Sequence, residues 1–158
     1  MYDSPCEAGF DCSTTTGLDY QPKHVDTALS CPAGYYCAGG TSAKVACPAG
    51  KYTNSTESTA CLFCPAGRYS SKSAVDTPYC PGVCSAGTYN SKIGQKENTC
   101  ELCPSGRFSG VAGLKRMADC SNCSAGRYSS VPGLTKNSEC ELCPSGRFSG
   151  VALSLIHI

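Results

Sequence analysis

The chain has 158 residues, 15 of them Cys and none Trp, with a formal net charge of +1. Nine Leu, seven Val, three Ile and four Phe make up only about 15% of it, below the level at which a chain builds its own hydrophobic core. That balance speaks against an ordinary globular domain. With no basic run and no 18-residue apolar span, the sequence offers no nucleic-acid surface, no attraction to an anionic membrane and no transmembrane helix. The cysteine content instead falls in the range of disulfide scaffolds, where a bridge closing a loop of about 15 residues contributes roughly 3 kcal/mol.

The chain opens Met1-Tyr2-Asp3-Ser4-Pro5-Cys6, with neither the basic start nor the apolar stretch of an export signal. A disulfide protein needs such a signal, so the sequence is expected to be an internal piece of a longer chain. Residues 1–30 form an irregular N-terminal region. It holds Cys6-Glu-Ala-Gly-Phe-Asp-Cys12 and a polar connector from Ser13 to Ser30. Cys31-Pro-Ala-Gly-Tyr-Tyr-Cys37 is a second copy of the same variant unit.

From residue 31 to 152 the sequence is a tandem array. The pattern Cys-x-x-Gly opens at Cys6, Cys31, Cys47, Cys64, Cys84, Cys103, Cys123 and Cys143, and the steps from Cys64 onward are 20, 19, 20 and 20 residues. A fixed period near 20 marks a linear repeat array. Pro48, Pro65, Pro104 and Pro144 after the opening Cys favour an extended entry with fixed φ. Gly50, Gly67, Gly87, Gly106, Gly126 and Gly146 are expected to supply a positive φ for a tight turn. Two residues on stands an aromatic (Tyr52, Tyr69, Tyr89, Phe108, Tyr128, Phe148), expected to cover a disulfide and pack on the neighbouring unit. A later Gly (Gly94, Gly113, Gly133) reads as a hairpin turn. No segment has helical periodicity. The fold class expected is small and disulfide-rich: an elongated array of short irregular β-hairpin units with no helix.

The array ends on a copy. Residues 140–152 repeat residues 100–112 without a change, and the chain then runs Leu153-Ser154-Leu155-Ile156-His157-Ile158. That hexapeptide resembles the translation of a transposase adapter used in sequencing libraries, and 153–158 is read as a non-native tail.

If each unit closes its own loop, the pairs are Cys47–Cys61, Cys64–Cys80, Cys84–Cys100, Cys103–Cys120 and Cys123–Cys140. Cys6, Cys12, Cys31 and Cys37 then form two bridges in one of three ways. Cys143 is left over, its partner expected past the end of the sequence. The rival chemistry is zinc. Cys100-x2-Cys103-x16-Cys120-x2-Cys123 fits a four-cysteine site, but so does the overlapping set Cys120, Cys123, Cys140 and Cys143, which leaves every pair two possible partners. The Gly-aromatic turn and the Ser/Thr-rich loops favour disulfides, and no cofactor is expected. Catalysis has little to work with: the two His are His24 and His157, and no nucleophile constellation, phosphate loop or redox-active βαβ context accompanies the Cys-x-x-Cys pairs.

The unit Cys-Pro-Ser-Gly-Arg-Phe-Ser-Gly-Val-Ala-Gly…Cys-Ser-Asn-Cys resembles the ephrin-receptor-like cysteine-rich repeat over about residues 31–152. It is also similar to the first loop of the tumour necrosis factor receptor repeat and the last loop of an EGF-like module. In those relatives the opening Cys pairs with the Cys that ends the same loop. The resemblance implies an extracellular or cell-surface ectodomain whose parent is held at a membrane and which meets a protein or glycan ligand not identified by the sequence. A ligand-binding ectodomain of the tumour necrosis factor receptor type is the alternative, and an intracellular zinc-binding array the lesser one. No kinase motif accompanies the repeats.

Sequons stand at Asn54-Ser-Thr and Asn122-Cys-Ser. Asn54, in a polar loop, is the candidate N-glycosylation site, whereas Asn122 is pinned between cysteines. Arg68, Arg107, Arg127 and Arg147 share the slot between Gly and the aromatic and read as solvated charges lying beside it, with Glu101, Asp119 and Glu141 close in sequence to blunt any positive field. Lys115-Arg116 reads as an ordinary exposed basic pair.

Overall fold

The computed structural model describes residues 6–13, 29–39 and 43–145. The connector residues 14–28, with His24, the repeat-copy residues Gly146, Arg147 and Phe148, and the tail 153–158 lie outside the described residues.

Strands here are two residues long, because only the x-aromatic dipeptide after each Gly and the two residues before the next opener run extended. They pair in seven two-stranded sheets. β1 (Phe10–Asp11) pairs with β2 (Leu29–Ser30), β3 (Tyr35–Tyr36) with β4 (Val45–Ala46), and β5 (Lys51–Tyr52) with β6 (Leu62–Phe63). β7 (Arg68–Tyr69) pairs with β8 (Gly82–Val83), and β9 (Thr88–Tyr89) with β10 (Glu101–Leu102). β11 (Arg107–Phe108) pairs with β12 (Ser121–Asn122), and β13 (Arg127–Tyr128) with β14 (Glu141–Leu142). The register repeats: Tyr52 faces Leu62, Tyr89 faces Glu101, and Tyr128 faces Glu141. Helical geometry among the described residues is confined to two single 3-10 turns, Met117–Asp119 and Asn137–Glu139. Each precedes a closing cysteine and ends on a carboxylate that folds back: Asp119 accepts from the Arg116 amide at 3.0 Å, and Glu139 from the Thr135 amide at 2.8 Å. A capped turn of three residues leaves no periodicity to read in a sequence.

The core is sulfur. Thirteen apolar residues are buried among those described, and twelve are cysteines; the other is Val75. Each opener is joined to the closer of its own loop: Cys47–Cys61, Cys64–Cys80, Cys84–Cys100, Cys103–Cys120 and Cys123–Cys140. The N-terminal choice of three resolves to Cys6–Cys12 and Cys31–Cys37. Cys143 is unpaired among the described residues.

Two compact units divide the chain. One comprises Met1–Pro65, Tyr69–Pro81 and Gly94–Glu97; the other comprises Ala66–Arg68, Gly82–Ile93 and Asn98–Ile158. Within the first, the Gly50 amide donates to the Ser70 carbonyl at 2.9 Å, the Thr53 amide to the Val75 carbonyl at 3.1 Å, and the Ala74 amide to the Cys47 carbonyl at 2.8 Å. Tyr52 forms a parallel bridge with Val75 and packs on the cluster of Val75 and the Cys64–Cys80 bridge. Within the second unit the same three bonds recur two repeats on. Gly87 donates to Ser109 at 2.8 Å, Asn90 to Leu114 at 3.0 Å, and Gly113 to Cys84 at 2.7 Å. Tyr89 bridges Leu114, and Phe108 bridges Leu134. The aromatic strand of one repeat is thus flanked on one side by its own hairpin partner and on the other by a loop residue of the next repeat.

This placement corrects the reading of the later glycines. Gly94, Gly113 and Gly133 do not turn a hairpin of their own. They have φ of 70°, 79° and 79°, and they carry the loop onto the carbonyl of the preceding opener, as the Gly113 and Gly133 amides do to Cys84 and Cys103. Glu57 and Ala74 fill the same slot in the two repeats before them, with φ of 58° and 55°, although neither has a glycine's freedom there.

Candidate functional site

A repeat offers few side chains that could do chemistry, and most of those that recur are occupied. The residue after each aromatic is small, polar and buried: Thr53, Ser70, Asn90, Ser109 and Ser129 are all at most 5% exposed. The Thr53 hydroxyl accepts from the Gly34 amide at 3.0 Å, and the other four each make a local turn. The Ser109 hydroxyl accepts from the Val111 amide at 3.1 Å and Ser129 from Val131 at 3.0 Å, while the Asn90 Oδ1 accepts from Lys92 at 2.8 Å. Short hydroxyl and amide side chains satisfy the backbone two residues on, which is why they can be buried at this bend. In the two N-terminal units the equivalent position, three after the Gly, holds Cys12 and Cys37, so the bridge replaces the polar turn. That equivalence is the signal in the sequence that would have paired Cys6 with Cys12.

Among the described residues, Arg107 and Arg127 are not free charges. Arg107 is half-buried and its Nη1 donates to the carbonyl of Cys120 at 3.0 Å; Arg127 does the same to Cys140 at 2.7 Å. Each guanidinium therefore holds the closing end of its own loop, which corrects the expectation of a solvated charge beside the aromatic. Arg68 is half-buried as well. Lys51, in the same slot, lies over the Phe63 ring at 4.6 Å. The nearby acids are likewise engaged. The Tyr89 hydroxyl donates to Glu101 at 2.8 Å and that of Tyr128 to Glu141 at 2.7 Å, and these carboxylates raise both phenol pKa values. Arg116 is tied to Asp119 at 2.8 Å, which occupies half of the exposed basic pair.

One carboxylate is buried. Asp11 is 2% exposed and accepts from the Ser13 hydroxyl at 2.6 Å and the Ser13 amide at 3.0 Å, with Lys44 at 3.5 Å. The Ser13 hydroxyl bond, more than the lysine, holds its pKa below the usual carboxylate value.

The cysteines of the zinc spacing, Cys100, Cys103, Cys120 and Cys123, are divided among three disulfides, which uses the sulfurs a metal would need. Among the described residues no group of three or more His, Cys, Asp or Glu is placed to hold a metal ion, and no helix is long and apolar enough to cross a membrane. Seven bridges in a chain of this size belong to an oxidising compartment. The sequons are both exposed: Asn54 in an irregular loop, Asn122 on β12. Tyr79, Ile93, Val111 and Val131 stand 55–69% exposed on the loops.

No protein-family model matches the chain, and no curated protein matches it.

Proposed function

We propose that the chain is an extracellular array of cysteine-rich repeats that serves as a spacer or adhesion module and presents a protein- or glycan-binding surface. The observation that carries this reading is the fate of the recurring residues. Gly, aromatic, buried polar residue, arginine and the paired cysteines are all engaged in closing a repeat or clasping the next one. Among the described residues the recurring side chains serve the frame, while Tyr79, Ile93, Val111 and Val131 on the loops face solvent. A scaffold with a fixed frame and a variable surface is suited to binding and spacing. The resemblance to ephrin-receptor-like repeats supports the same compartment and the same kind of work.

The test is a non-reducing peptide map of the chain made in a secretory pathway, together with elemental analysis. The expected result is the seven bridges described above and no zinc. Thiols reactive without reductant, with zinc bound in stoichiometric amount, would overturn the reading in favour of an intracellular metal array. Binding is then screened on protein and glycan arrays, where soluble ligand capture lost on reduction is the supporting outcome.

A further inference from the structure

We propose that Asn54 is an N-glycosylation site and that Asn122, the second sequon, is withdrawn from glycosylation once Cys123–Cys140 has closed. The inference rests on export through an oxidising secretory compartment, as in the reading above.

The two sequons obey the same pattern but sit in opposite surroundings. Asn54, Ser55 and Thr56 are all exposed, in a loop with no strand partner. Among the described residues, neither the Asn54 carboxamide nor the Thr56 hydroxyl makes a hydrogen bond. The loop is anchored on both sides of the sequon: before it the Thr53 amide donates to the Val75 carbonyl at 3.1 Å, and after it the Glu57 amide donates to the Cys31 carbonyl at 2.8 Å, the Ser58 carbonyl accepts from the Cys37 amide at 2.8 Å and the Ser58 hydroxyl donates to the Ser55 carbonyl at 3.0 Å. The tripeptide therefore projects from a fixed base, with both groups that a transferase must engage, the carboxamide and the hydroxyl two residues on, free to be engaged.

Asn122 begins in a ladder instead. It lies on β12, paired with Arg107, and the amide of Cys123 donates to the Gly106 carbonyl at 2.9 Å. The hydroxyl of Ser124 accepts from the Asn137 side-chain amide at 3.0 Å, and the Ser124 backbone amide donates back to Asn137 Oδ1 at 3.0 Å. The middle residue of this sequon, Cys123, is held by its bridge to Cys140. A transferase would have to break a strand pairing and a two-bond clamp to bind it.

The step is a group transfer from a lipid-linked oligosaccharide diphosphate. The Asn54 carboxamide nitrogen forms a bond to the sugar C1 and gives up a proton, and the C1–O bond to the lipid diphosphate breaks, the diphosphate leaving with its electron pair.

The full chain, carrying an added export signal, is expressed in a secreting eukaryotic cell. Total cell and medium protein is digested with or without a peptide amidase that removes N-glycans in 18O water. The expected result is one glycan, with the mass label on Asn54 alone. T56A abolishes the label, N122Q leaves it unchanged, and C140S adds a second label at Asn122. An unlabelled Asn54, or a labelled Asn122 in the unsubstituted chain, would overturn the proposal, and failure of C140S to gain the second label would overturn the role given to the bridge. A non-reducing map of the same sample separates the two levels. Correct bridges with a bare Asn54 sink this inference alone, while absent bridges sink the reading it rests on.

Discussion

Gly67 and Gly126 occupy the same slot with nearly the same backbone, φ of 78° and 77°, yet among the described residues only Gly67 is covered. A Cβ built at Gly67 runs into the Gly113 carbonyl oxygen, with the Gly113 carbonyl carbon at 2.8 Å and the Leu114 oxygen at 2.9 Å. At Gly126 nothing among the described residues lies within 4 Å of the added carbon. G126A is therefore expected to incur only the left-handed penalty of about 1–2 kcal/mol, offset by about 0.4–1 kcal/mol from the stiffer unfolded chain. The net loss is about 1 kcal/mol. G67A carries that loss and an overpacking term of roughly 1–3 kcal/mol, because the obstacle is backbone and cannot swing away as a side chain would. If the loop retreats instead, the bonds from Gly67 to Asn90 at 2.8 Å and from Gly113 to Cys84 at 2.7 Å are lost, at roughly 0.5–1.5 kcal/mol each. Either route puts G67A about 2–4 kcal/mol below the native chain. Global unfolding is a poor assay for a repeat array, whose parts open separately. Amide hydrogen exchange with the disulfides intact reads the effect where it arises. The Gly67 and Gly113 amides should exchange at least about tenfold faster in G67A, since each 1.4 kcal/mol is worth a factor of ten. Equal and small effects of G67A and G126A would refute the idea that the loop glycine of one repeat closes over the turn glycine two repeats earlier.

Other expectations follow from the same frame. Ala74 sits at φ 55° where later repeats place Gly, so A74G should stabilise its repeat by about 0.5–1 kcal/mol, read as slower exchange of the Ala74 amide that bonds Cys47; faster exchange would contradict the strain argument. R107M removes the donor to the Cys120 carbonyl and should cost about 1 kcal/mol, seen as faster exchange across Met117–Cys120, whereas an unchanged profile would mean the guanidinium contact carries no weight. Asp11 titrates below its ordinary value in the folded chain. Its contribution to stability is therefore complete above the unfolded pKa and is lost as pH falls through the lower folded one. An NMR titration of the Ser13 amide should show a midpoint below 3.8, absent in D11N; a midpoint at or above 3.8 would refute the buried hydrogen-bonded carboxylate.

Much of a single repeat was legible because its chemistry is local. Opening and closing cysteines, the period near 20 and the positive φ of Gly50, Gly67, Gly87, Gly106 and Gly126 all follow from residues a few positions apart. What the sequence hid is what depends on a neighbour. Nothing near Arg107 announces that its side chain reaches the carbonyl of Cys120, because that contact needs the hairpin closed first. Gly94 looks like a turn glycine until the chain two repeats earlier is set against it, where its carbonyl meets Gly50. Glu57 and Ala74 conceal the same left-handed position under residues that carry no mark of it. The candidate surface was least legible of all, since exposed and variable side chains follow no rule a pattern can catch.

Every bridge in the described chain begins and ends inside one repeat, and no sulfur reaches from one repeat to another. A whole repeat can therefore be copied in or cut out without changing the partner of any other cysteine. The clasp is just as forgiving, because the newcomer brings the same glycine, aromatic and buried hydroxyl that its neighbours expect. Residues 100–112 and 140–152 are identical at every position. An array wired in this way can change its number of repeats by recombination and keep every cysteine pairing, and selection is left free to work on the exposed loops.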